Sequence, residues 1–148
     1  LKEQHFVREL DLVIANTEQS KDGRLLCTPA LVIRPYLTKD EEGVFSHHIS
    51  KIIPHNENSK FFLYCYFLEN HEKFAIQYNT GTGVWGFDYE NFEKNVEIVT
   101  PKQSSLNKFE SISKNIFKKI CSLERQIMIL EDTRELIQRR LIYGKMSI

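Results

Sequence analysis

Short apolar and β-branched runs, separated by polar turn-forming stretches, fill the first part of the chain. They span residues 6–14, 30–36 and 44–53, and the turn-rich stretch NTEQSKDG at 16–23 lies between the first two. Runs of this kind are typical of strands. Pro54 ends the third run because proline cannot donate a backbone hydrogen bond to a sheet. We therefore predict a strand-rich region in which residues 16–23 form a hairpin or a wide loop.

The aromatic segment KFFLYCYFLEN at 60–70 fits two structures. Its aromatic side chains suit a strand, its length also suits a short buried helix, and its periodicity does not separate the two; we favour the helix. The residues after it predict, in order, a brief strand at 74–78, a glycine-rich turn at 79–86, a turn or short helix at 88–95 with Asp88 as its N-cap, and a last strand at 96–99.

The last part of the chain has the pattern of one long helix. After Ser104 and Ser105, either of which suits an N-cap, there is no glycine or proline until Gly144. Apolar residues recur there at alternating spacings of four and three, which is the heptad pattern of a coiled coil. The positions of this seam are Ile116, Ile120, Leu123, Ile127, Leu130, Arg134, Ile137 and Leu141. A helix over them would be about 39 Å long, too long for the preceding region to cover, so we predict a partner helix.

Arg134 is the one seam position that is not aliphatic. An unpaired charge buried in an interface is costly. Its guanidinium must therefore reach solvent along its alkyl stem or pair with an acid across the interface, and either arrangement helps to fix the register. The alternative is that the helix packs back on its own domain, or pairs with a short helix at 104–114.

Composition and charge divide the chain at the same place as the pattern. The 148 residues are 41% hydrophobic and 27% charged, as in one folded domain with or without a helical appendage. Residues 1–100 hold 10 basic and 15 acidic residues, a net charge of −5, and residues 101–148 hold 10 and 5, a net charge of +5. We predict an α+β chain: a small mixed or antiparallel, β-rich domain at 1–101, then a long C-terminal, coiled-coil-forming α-helix at 102–148.

Nothing in the sequence has the pattern of an active site. The five histidines contain no HExxH motif, and His47 and His48 in a strand would point to opposite faces, which is unsuited to joint metal ligation. The segment GTGVWG matches no phosphate-binding fingerprint. The cysteines Cys27, Cys65 and Cys121 form no CxxC pair and are typical of reduced thiols in a cytoplasmic protein, with Cys65 expected in the core. We expect no metal, no cofactor and no membrane-spanning segment, because the longest apolar runs are far shorter than the roughly 20 residues required.

Four segments in this order resemble a known family. DLVIANTEQSKDG, FFLYCYFL, TGTGVWGFDYENFEKNVEIVTP and LEDTRELIQRRLIYGKM together look like the specificity subunit of type I restriction-modification enzymes, and the resemblance covers nearly the whole chain. The matching positions are Asp11 to Ala15, Gly81 and Thr82 through Val99 and Pro101, and Leu130, Arg134, Leu141 and Gly144.

The resemblance implies a function without catalysis. Residues 1–101 would be a target recognition domain that lacks its opening strand and reads one half of a bipartite site in double-stranded DNA. Residues 102–148 would be the conserved helical region, which acts as a spacer and docks the methyltransferase (modification) subunits and, through them, the restriction subunit. The chain would then be the C-terminal part of a larger subunit, or a half-subunit that pairs with a second copy or a second helical region.

Candidate DNA contacts follow from this resemblance and from side-chain chemistry. Amide and guanidinium groups suit bidentate contacts to base edges, glycines allow close approach to the DNA backbone, and an indole can stack on a base. The candidates are Asn16, Thr17, Gln19, Lys21, Arg24, Arg34, Lys39, His47, His48, Lys51, Thr80, Gly81, Thr82 and Trp85. In the alternative, residues 79–86 are a structural hairpin with Trp85 packed on the core.

The acidic first region is unfavourable for approach to phosphate, although the basic helical region suits it. Two other functions stay open: a dimeric coiled-coil protein-binding adaptor without DNA recognition, and, as the weakest, an enzyme that uses His47 or His48.

Overall fold

The computed structural model describes residues 6–18, 25–33 and 43–143. Its strands are β1 (Phe6–Val7), β2 (Leu12–Ala15), β3 (Thr17–Glu18), β4 (Pro29–Leu31), β5 (Gly43–Val44), β6 (Ile49–Ile52), β7 (Asn79–Thr80) and β8 (Trp85–Phe87). Its α-helices are α1 (Lys60–Gln77), α2 (Tyr89–Asn95) and α3 (Gln103–Ile142), and the short 3-10 helix Glu57–Ser59 leads into α1. Antiparallel strands followed by a long C-terminal helix confirm the predicted α+β class.

The strands form two small sheets and a ribbon. In the first sheet β2 lies between β4 and β6, with Val13 opposite both Ala30 and Lys51. The second sheet has the order β3-β8-β7, and β1 pairs with β5 in a two-stranded ribbon. Strand β2 is buried along Leu12–Ile14, as expected for a central strand whose sequence is apolar without alternation. Each apolar run contains at least part of one strand, although the strands are shorter than the runs. Residues 34–36, the end of the second run, lie outside the described residues.

The helix favoured for the aromatic segment is confirmed, and it continues to Gln77. The predicted strand at 74–78 is therefore wrong. Phe74 follows Phe67 by two helical turns, so both rings lie on one helix face and are buried in the same core. Cys65 was expected in the core, but it lies exposed on α1.

The segment after the glycine-rich turn is partly as predicted. Asp88 caps α2, since its carboxylate accepts a hydrogen bond of 3.1 Å from the backbone N–H of Asn91. The predicted strand at 96–99 is wrong. Val96 has an extended backbone and packs on the core, but no described strand pairs with this segment, which is a connection to α3.

Two apolar clusters form the core of the region that precedes α3, called the head below. The first is largely aromatic: the rings of Phe67, Phe74, Phe87 and Phe92 pack at centroid distances of 5.0–5.8 Å. The second joins the head to α3, because Leu12, Leu31 and Phe61 of the head are buried with Cys121 of α3. Burial of Phe61 against Phe117, with ring centroids 5.3 Å apart, strengthens this junction.

Only the first half of α3 packs on the head. Leu106, Glu110, Ser113 and Cys121 are buried there, and Arg125 forms an ion pair with Glu9 of the head. Every residue from 129 to 143 is exposed. The alternative that the helix packs on its own head is therefore correct for one face of the first half of α3. The other alternative, a separate short helix at 104–114, is wrong, because these residues belong to α3 itself.

A carboxylate of α3 completes the N-terminus of α1. Ser59, the N-cap residue, makes no side-chain capping bond. The buried carboxylate of Glu110 instead accepts hydrogen bonds from the backbone N–H groups of Phe61, at 3.1 Å, and Phe62, at 2.8 Å. It supplies acceptors for two of the free amides that every helix start leaves and places a negative charge at the positive end of the helix.

Candidate nucleic-acid interface

The chain changes sheets at Asn16, and this brings distant segments together. Its backbone N–H donates to the carbonyl of His48 at 2.8 Å, and its carbonyl accepts from the N–H of Phe87 at 2.9 Å. Residues before it pair with β6 and residues after it pair with β8. The turn before β6 and the glycine-rich hairpin, far apart in sequence, therefore meet on either side of Asn16.

A group of hydrogen-bonded polar side chains surrounds this crossing point. We call Asn16, Thr17, His47, His48 and Ser50 the polar cluster. The Asn16 amide donates to the Ser50 hydroxyl at 2.7 Å and to the His47 carbonyl at 3.2 Å. The Thr17 hydroxyl lies 2.5 Å from the His48 Nδ1. Four predicted DNA contacts are thus brought together, and their mutual hydrogen bonds hold them in place.

The two histidines lie in a turn. The sequence placed them within one strand and on opposite faces, and this is wrong: the strand run is broken into β5 and β6, and the connecting residues include both histidines. Their ring centroids are 3.9 Å apart, and both side chains are exposed. A turn lets neighbouring side chains lie side by side, which the alternating directions of a strand forbid.

The glycine-rich segment is a hairpin of β7 and β8. Gly81 has a φ of +94°, and a β-carbon at this position would lie 2.3 Å from the carbonyl oxygen of Val84. Thr80 donates its hydroxyl hydrogen bond to the Gly86 carbonyl at 3.3 Å. Thr82 is exposed at the tip. Trp85 is half-buried and packs against the first core cluster, so one part of its indole is structural and the rest is accessible.

The hairpin adjoins the polar cluster directly. In the second sheet Thr17 is opposite Gly86, and Gly86 is opposite Thr80, so these three residues form one row across the sheet. Glu18 is opposite Trp85. The structure therefore joins Thr80 to the cluster around Asn16 on one face of the sheet, with Gly81 and Thr82 in the adjoining turn, whereas Trp85, the neighbour of Gly86 in β8, points to the opposite face, toward the core.

Glu18, in β3, is hydrogen-bonded to the first described residues after position 24. Its buried carboxylate accepts hydrogen bonds from the backbone N–H groups of Leu25, at 2.6 Å, and Leu26, at 2.9 Å. Leu25 and Leu26 therefore lie beside the end of β3. The predicted contacts Gln19, Lys21, Arg24, Arg34 and Lys39 lie outside the described residues.

Lys51 is separated from the other candidates. Its ammonium lies 2.6 Å from the carboxylate of Asp11, which Lys60 also approaches at 3.7 Å. These groups line a cleft of about 840 Å³ between the head and α3, near Glu110 and Lys114. Lys51 thus neutralises a carboxylate at the opposite end of β6 from the histidine turn.

Buried polar atoms under the surface were not predicted from the sequence. The Asn16 Oδ1 and the Tyr89 hydroxyl are inaccessible; the Asn16 Oδ1 has no hydrogen-bond partner among the described residues, and the Tyr89 hydroxyl lies beside the Ser50 side chain. Burial raises the pKa of Tyr89 to about 12, so the hydroxyl keeps its proton at neutral pH. Ser50 and Tyr89 are the residues that sequence reasoning missed. The only available signal for Ser50 was a small polar residue inside an apolar run, and nothing local marked Tyr89.

The predicted seam lies on α3 as an exposed stripe. All eight residues are on this helix, and the six at positions 116, 123, 127, 130, 137 and 141 are 44–67% exposed. The outer half carries a further apolar row at seven-residue spacing, Ile129, Leu136 and Tyr143, called the second row below. In the first half the same heptad position holds the polar residues Lys108, Asn115 and Ser122. Apolar side chains thus appear at this position only beyond the head.

Two further properties concern the described part of the chain. None of its helices combines the length and apolar character that crossing a membrane would require. Its His, Cys, Asp and Glu side chains form no group of three that is arranged to hold a metal ion.

Comparison with known proteins found one informative similarity. The chain is 29% identical over 105 residues to the type I restriction enzyme MjaIX specificity subunit of Methanocaldococcus jannaschii. The match covers 69% of this chain and 23% of that protein, so the chain spans less than a quarter of this curated relative. No protein-family model and no solved structure matches the chain. The similarity supports the family resemblance drawn from the sequence motifs.

Proposed function

We propose that this chain is a non-catalytic, DNA-reading part of a type I restriction-modification system. In this proposal residues 1–101 read one half of a bipartite site, and residues 102–148 form a spacer that pairs with another helix and docks methyltransferase subunits. The observation that carries the proposal is the single surface made by the polar cluster and the hairpin. It supports the function suggested by the motifs and by the name of the similar protein.

The polar surface suits contact with a duplex. Asn16 and the exposed histidines offer hydrogen-bonding groups, Thr80 and Thr82 offer hydroxyls, and the hairpin backbone is open at its tip. Such groups contact phosphates or base edges. Their mutual hydrogen bonds reduce the conformational entropy that would be lost on binding.

Most of the electrostatic attraction to DNA must come from residues outside the polar cluster and the hairpin. Within the described residues, the polar cluster and the hairpin carry no lysine or arginine, and residues 1–100 have a net charge of −5. We propose that the undescribed Lys21, Arg24, Arg34 and Lys39, the basic α3 and the partner subunits supply the attraction to phosphate. DNA affinity of the chain alone should therefore be weak and should fall steeply with salt.

The second row is the proposed docking surface for methyltransferase subunits. A helix in a two-stranded coiled coil buries positions a and d, and position c, which Ile129, Leu136 and Tyr143 occupy, faces solvent. An apolar row at that position needs a different partner. The flanks of the row carry charges of both signs: Asp132 lies between Ile129 and Leu136, and Arg139 and Arg140 lie between Leu136 and Tyr143.

Co-purification of the parent protein tests the proposed assembly. We expect a methyltransferase subunit to accompany it, and the assembly to bind a specific duplex. An assembly with no methyltransferase and no duplex binding would contradict the proposal.

Substitution within the polar surface tests the DNA-reading role. In the intact assembly, His48→Ala and Thr80→Ala should each weaken specific duplex binding by roughly 5- to 100-fold, the cost typical of one lost contact. His55→Ala is the matched control, because His55 is exposed beyond the opposite end of β6. Equal affinities for His48→Ala, Thr80→Ala and the control, measured by fluorescence anisotropy, would remove this surface from the proposal.

The exposed seam also fits a second candidate, a dimeric adaptor that binds protein and no DNA. Both functions need the helix, so the helix does not separate them. Duplex binding by the assembly at low salt distinguishes the two functions, because a protein-binding adaptor would not bind the duplex.

A further inference from the structure

The cleft between the head and α3 has the size of a small-molecule site. Its volume of about 840 Å³ lies within the range of cavities that hold ligands. One wall is a stripe of α3, Asn107, Ser111, Lys114 and Lys118, whose spacings of four, three and four place them along one edge of the helix. The cleft lies at the opposite end of β6 from the histidine turn, so it is separate from the polar cluster.

Two cations of this stripe lack an anionic partner. Lys114 and Lys118 line the cleft, and both are exposed. Considering residues 6–18, 25–33 and 43–143, neither lysine makes an ion pair or a hydrogen bond. They are separated by about 6 Å along the helix axis, and like charges at this spacing repel each other. An anion placed between them would remove that repulsion.

The facing wall carries a further positive charge. Lys51 and Lys60 share one carboxylate, that of Asp11, whose oxygens lie 2.6 Å and 3.7 Å from the two ammonium groups. One carboxylate neutralises only one of the two lysines. The two lysine side chains are 25% and 30% exposed, so their charges are less screened by solvent than charges on an open surface.

Two other carboxylates of the cleft are already bound. Glu9 forms an ion pair with Arg125. The carboxylate of Glu110 accepts both of its hydrogen bonds from backbone amides at the start of α1, and it forms no ion pair with Lys114 one turn further along α3. These acids therefore leave the cations of α3 available to a ligand.

The remaining carboxylate, Glu57, lies toward the other end of the cleft. It belongs to the short 3-10 helix, and the preceding residue Asn56 donates a hydrogen bond of 3.2 Å to the side chain of Gln103. Gln103 lies roughly 16 Å before Lys114 along α3, at about 1.5 Å per residue. Glu57 is also exposed, so its repulsion of an anion bound near Lys114 is weak.

We propose that the cleft binds a small ligand with a phosphomonoester group, held between Lys114 and Lys118 of α3 and Lys60 of α1. Four ammonium groups line this end of the cleft against two carboxylates, Asp11 and Glu110, which leaves an excess of two positive charges. A phosphomonoester carries about −1.5 to −2 charges at pH 7 and matches this excess. A carboxylate, or one phosphodiester of a DNA backbone, carries a single charge. The inference goes beyond the proposed function and does not depend on it.

The rest of the cleft indicates a ligand with an organic body. A phosphate group alone fills only a small part of the volume. Ile53, which is 78% exposed, and Pro54 provide apolar surface, and Asn107 and Ser111 provide polar groups. A nucleotide combines an aromatic ring, hydroxyls and a phosphomonoester, so it is the ligand class that these groups suit. Such a ligand would bridge α1 and α3 and stabilise the junction between the head and the long helix.

Calorimetric titration of the full chain with adenosine monophosphate tests the site. At about 0.15 M salt we expect a Kd below about 1 mM, and competition by inorganic phosphate. Cyclic adenosine monophosphate is the matched control ligand, because it has the same base and ribose but a singly charged phosphodiester. It should bind at least about tenfold more weakly. Equal binding of the two nucleotides overturns the inference, and so does the absence of binding by both adenosine monophosphate and inorganic phosphate.

Substitution of the free lysines tests the location. Lys114→Ala and Lys118→Ala should each weaken binding of adenosine monophosphate by about fivefold or more, because each removes an ammonium group from the phosphate. Lys119→Ala is the matched control, since Lys119 is exposed on the same helix and does not line the cleft. Equal weakening by all three substitutions would mean attraction by diffuse surface charge, which overturns the inference.

A substitution of Asp11 tests the charge argument with the opposite sign. Asp11→Asn removes the carboxylate that Lys51 and Lys60 share, and its amide oxygen can still accept the hydrogen bond of 2.8 Å from the backbone N–H of Arg8. Binding of adenosine monophosphate should strengthen by about threefold or more, because two lysines become available to the phosphate. A chain with this substitution that keeps its circular dichroism spectrum but binds no more tightly overturns the inference.

Discussion

Gly81 shows how one residue controls the hairpin at the proposed DNA surface. Its φ of +94° lies in the region that glycine adopts without cost, and a β-carbon there would collide with the Val84 carbonyl. Gly83, two residues later, has open space around its missing β-carbon. Position 83 of this turn therefore has room for a side chain, and position 81 does not.

Gly81→Ala should lower the free energy of unfolding by about 1–3 kcal/mol, the usual cost of a strained backbone conformation. Gly83→Ala should change it by less than about 1 kcal/mol. Urea denaturation of both variants measures the difference. Equal effects would contradict the hairpin geometry.

The three thiols differ in environment. Cys27 is fully buried and burial raises its pKa to about 12, whereas Cys121 is buried at the junction of the head and α3. Cys65 is exposed on α1, and partial burial, with the nearby Glu110 carboxylate second, raises its pKa.

One thiol per chain should therefore react with Ellman's reagent at pH 8 in the native state, and three after denaturation. The rate for Cys65 should rise with pH, because its raised pKa leaves little thiolate at neutral pH. The Cys65→Ser variant should show almost no fast reaction. A fast second thiol would contradict the burial of Cys27 or Cys121.

Among the elements, α1 and α3 depend on each other through one carboxylate. Glu110 of α3 accepts two backbone hydrogen bonds at the start of α1, where Ser59 provides none. The bond crosses 49 positions in sequence, so it joins the head to the helix that carries the seam.

Glu110→Ala should destabilise the chain by about 1–3 kcal/mol, because it leaves buried N–H groups without acceptors. Glu110→Gln should cost less, since its amide oxygen can still accept one of the two bonds. Glu131→Ala, at an exposed position of the same helix, is the control. Thermal unfolding measures the order of the three variants, and a cost for Glu110→Ala no larger than for Glu131→Ala would contradict the cap.

For the whole molecule, the seam and the second row are expected to bind different partners. Leu130→Asp should abolish self-association, because it places a charge in the seam. Leu136→Asp should leave self-association within about threefold of the unchanged chain and should prevent capture of the methyltransferase subunit. Light scattering and co-purification measure the two effects. Loss of both activities in both variants would mean that one shared interface serves both partners.

The long helix, its seam and the Asp88 cap were predictable from the sequence, as was the α+β class. Each depends on residues within a few positions of one another: a seven-residue repeat places side chains on one stripe, and a carboxylate at the N-cap meets an amide three residues on. Such short-range geometry is the same wherever the segment lies in a fold. The helix at 60–77 was only partly predictable, because aromatic residues suit both strands and helices.

The polar surface arises from pairing between distant segments. Asn16 joins two sheets, His47 and His48 lie in a turn, and Glu110 caps a helix far away in the chain. The segment 96–99 pairs with no described strand, because hydrogen-bond pairing depends on which segments meet in space. A linear pattern records which groups can bond, and the packing of the core determines which of them do.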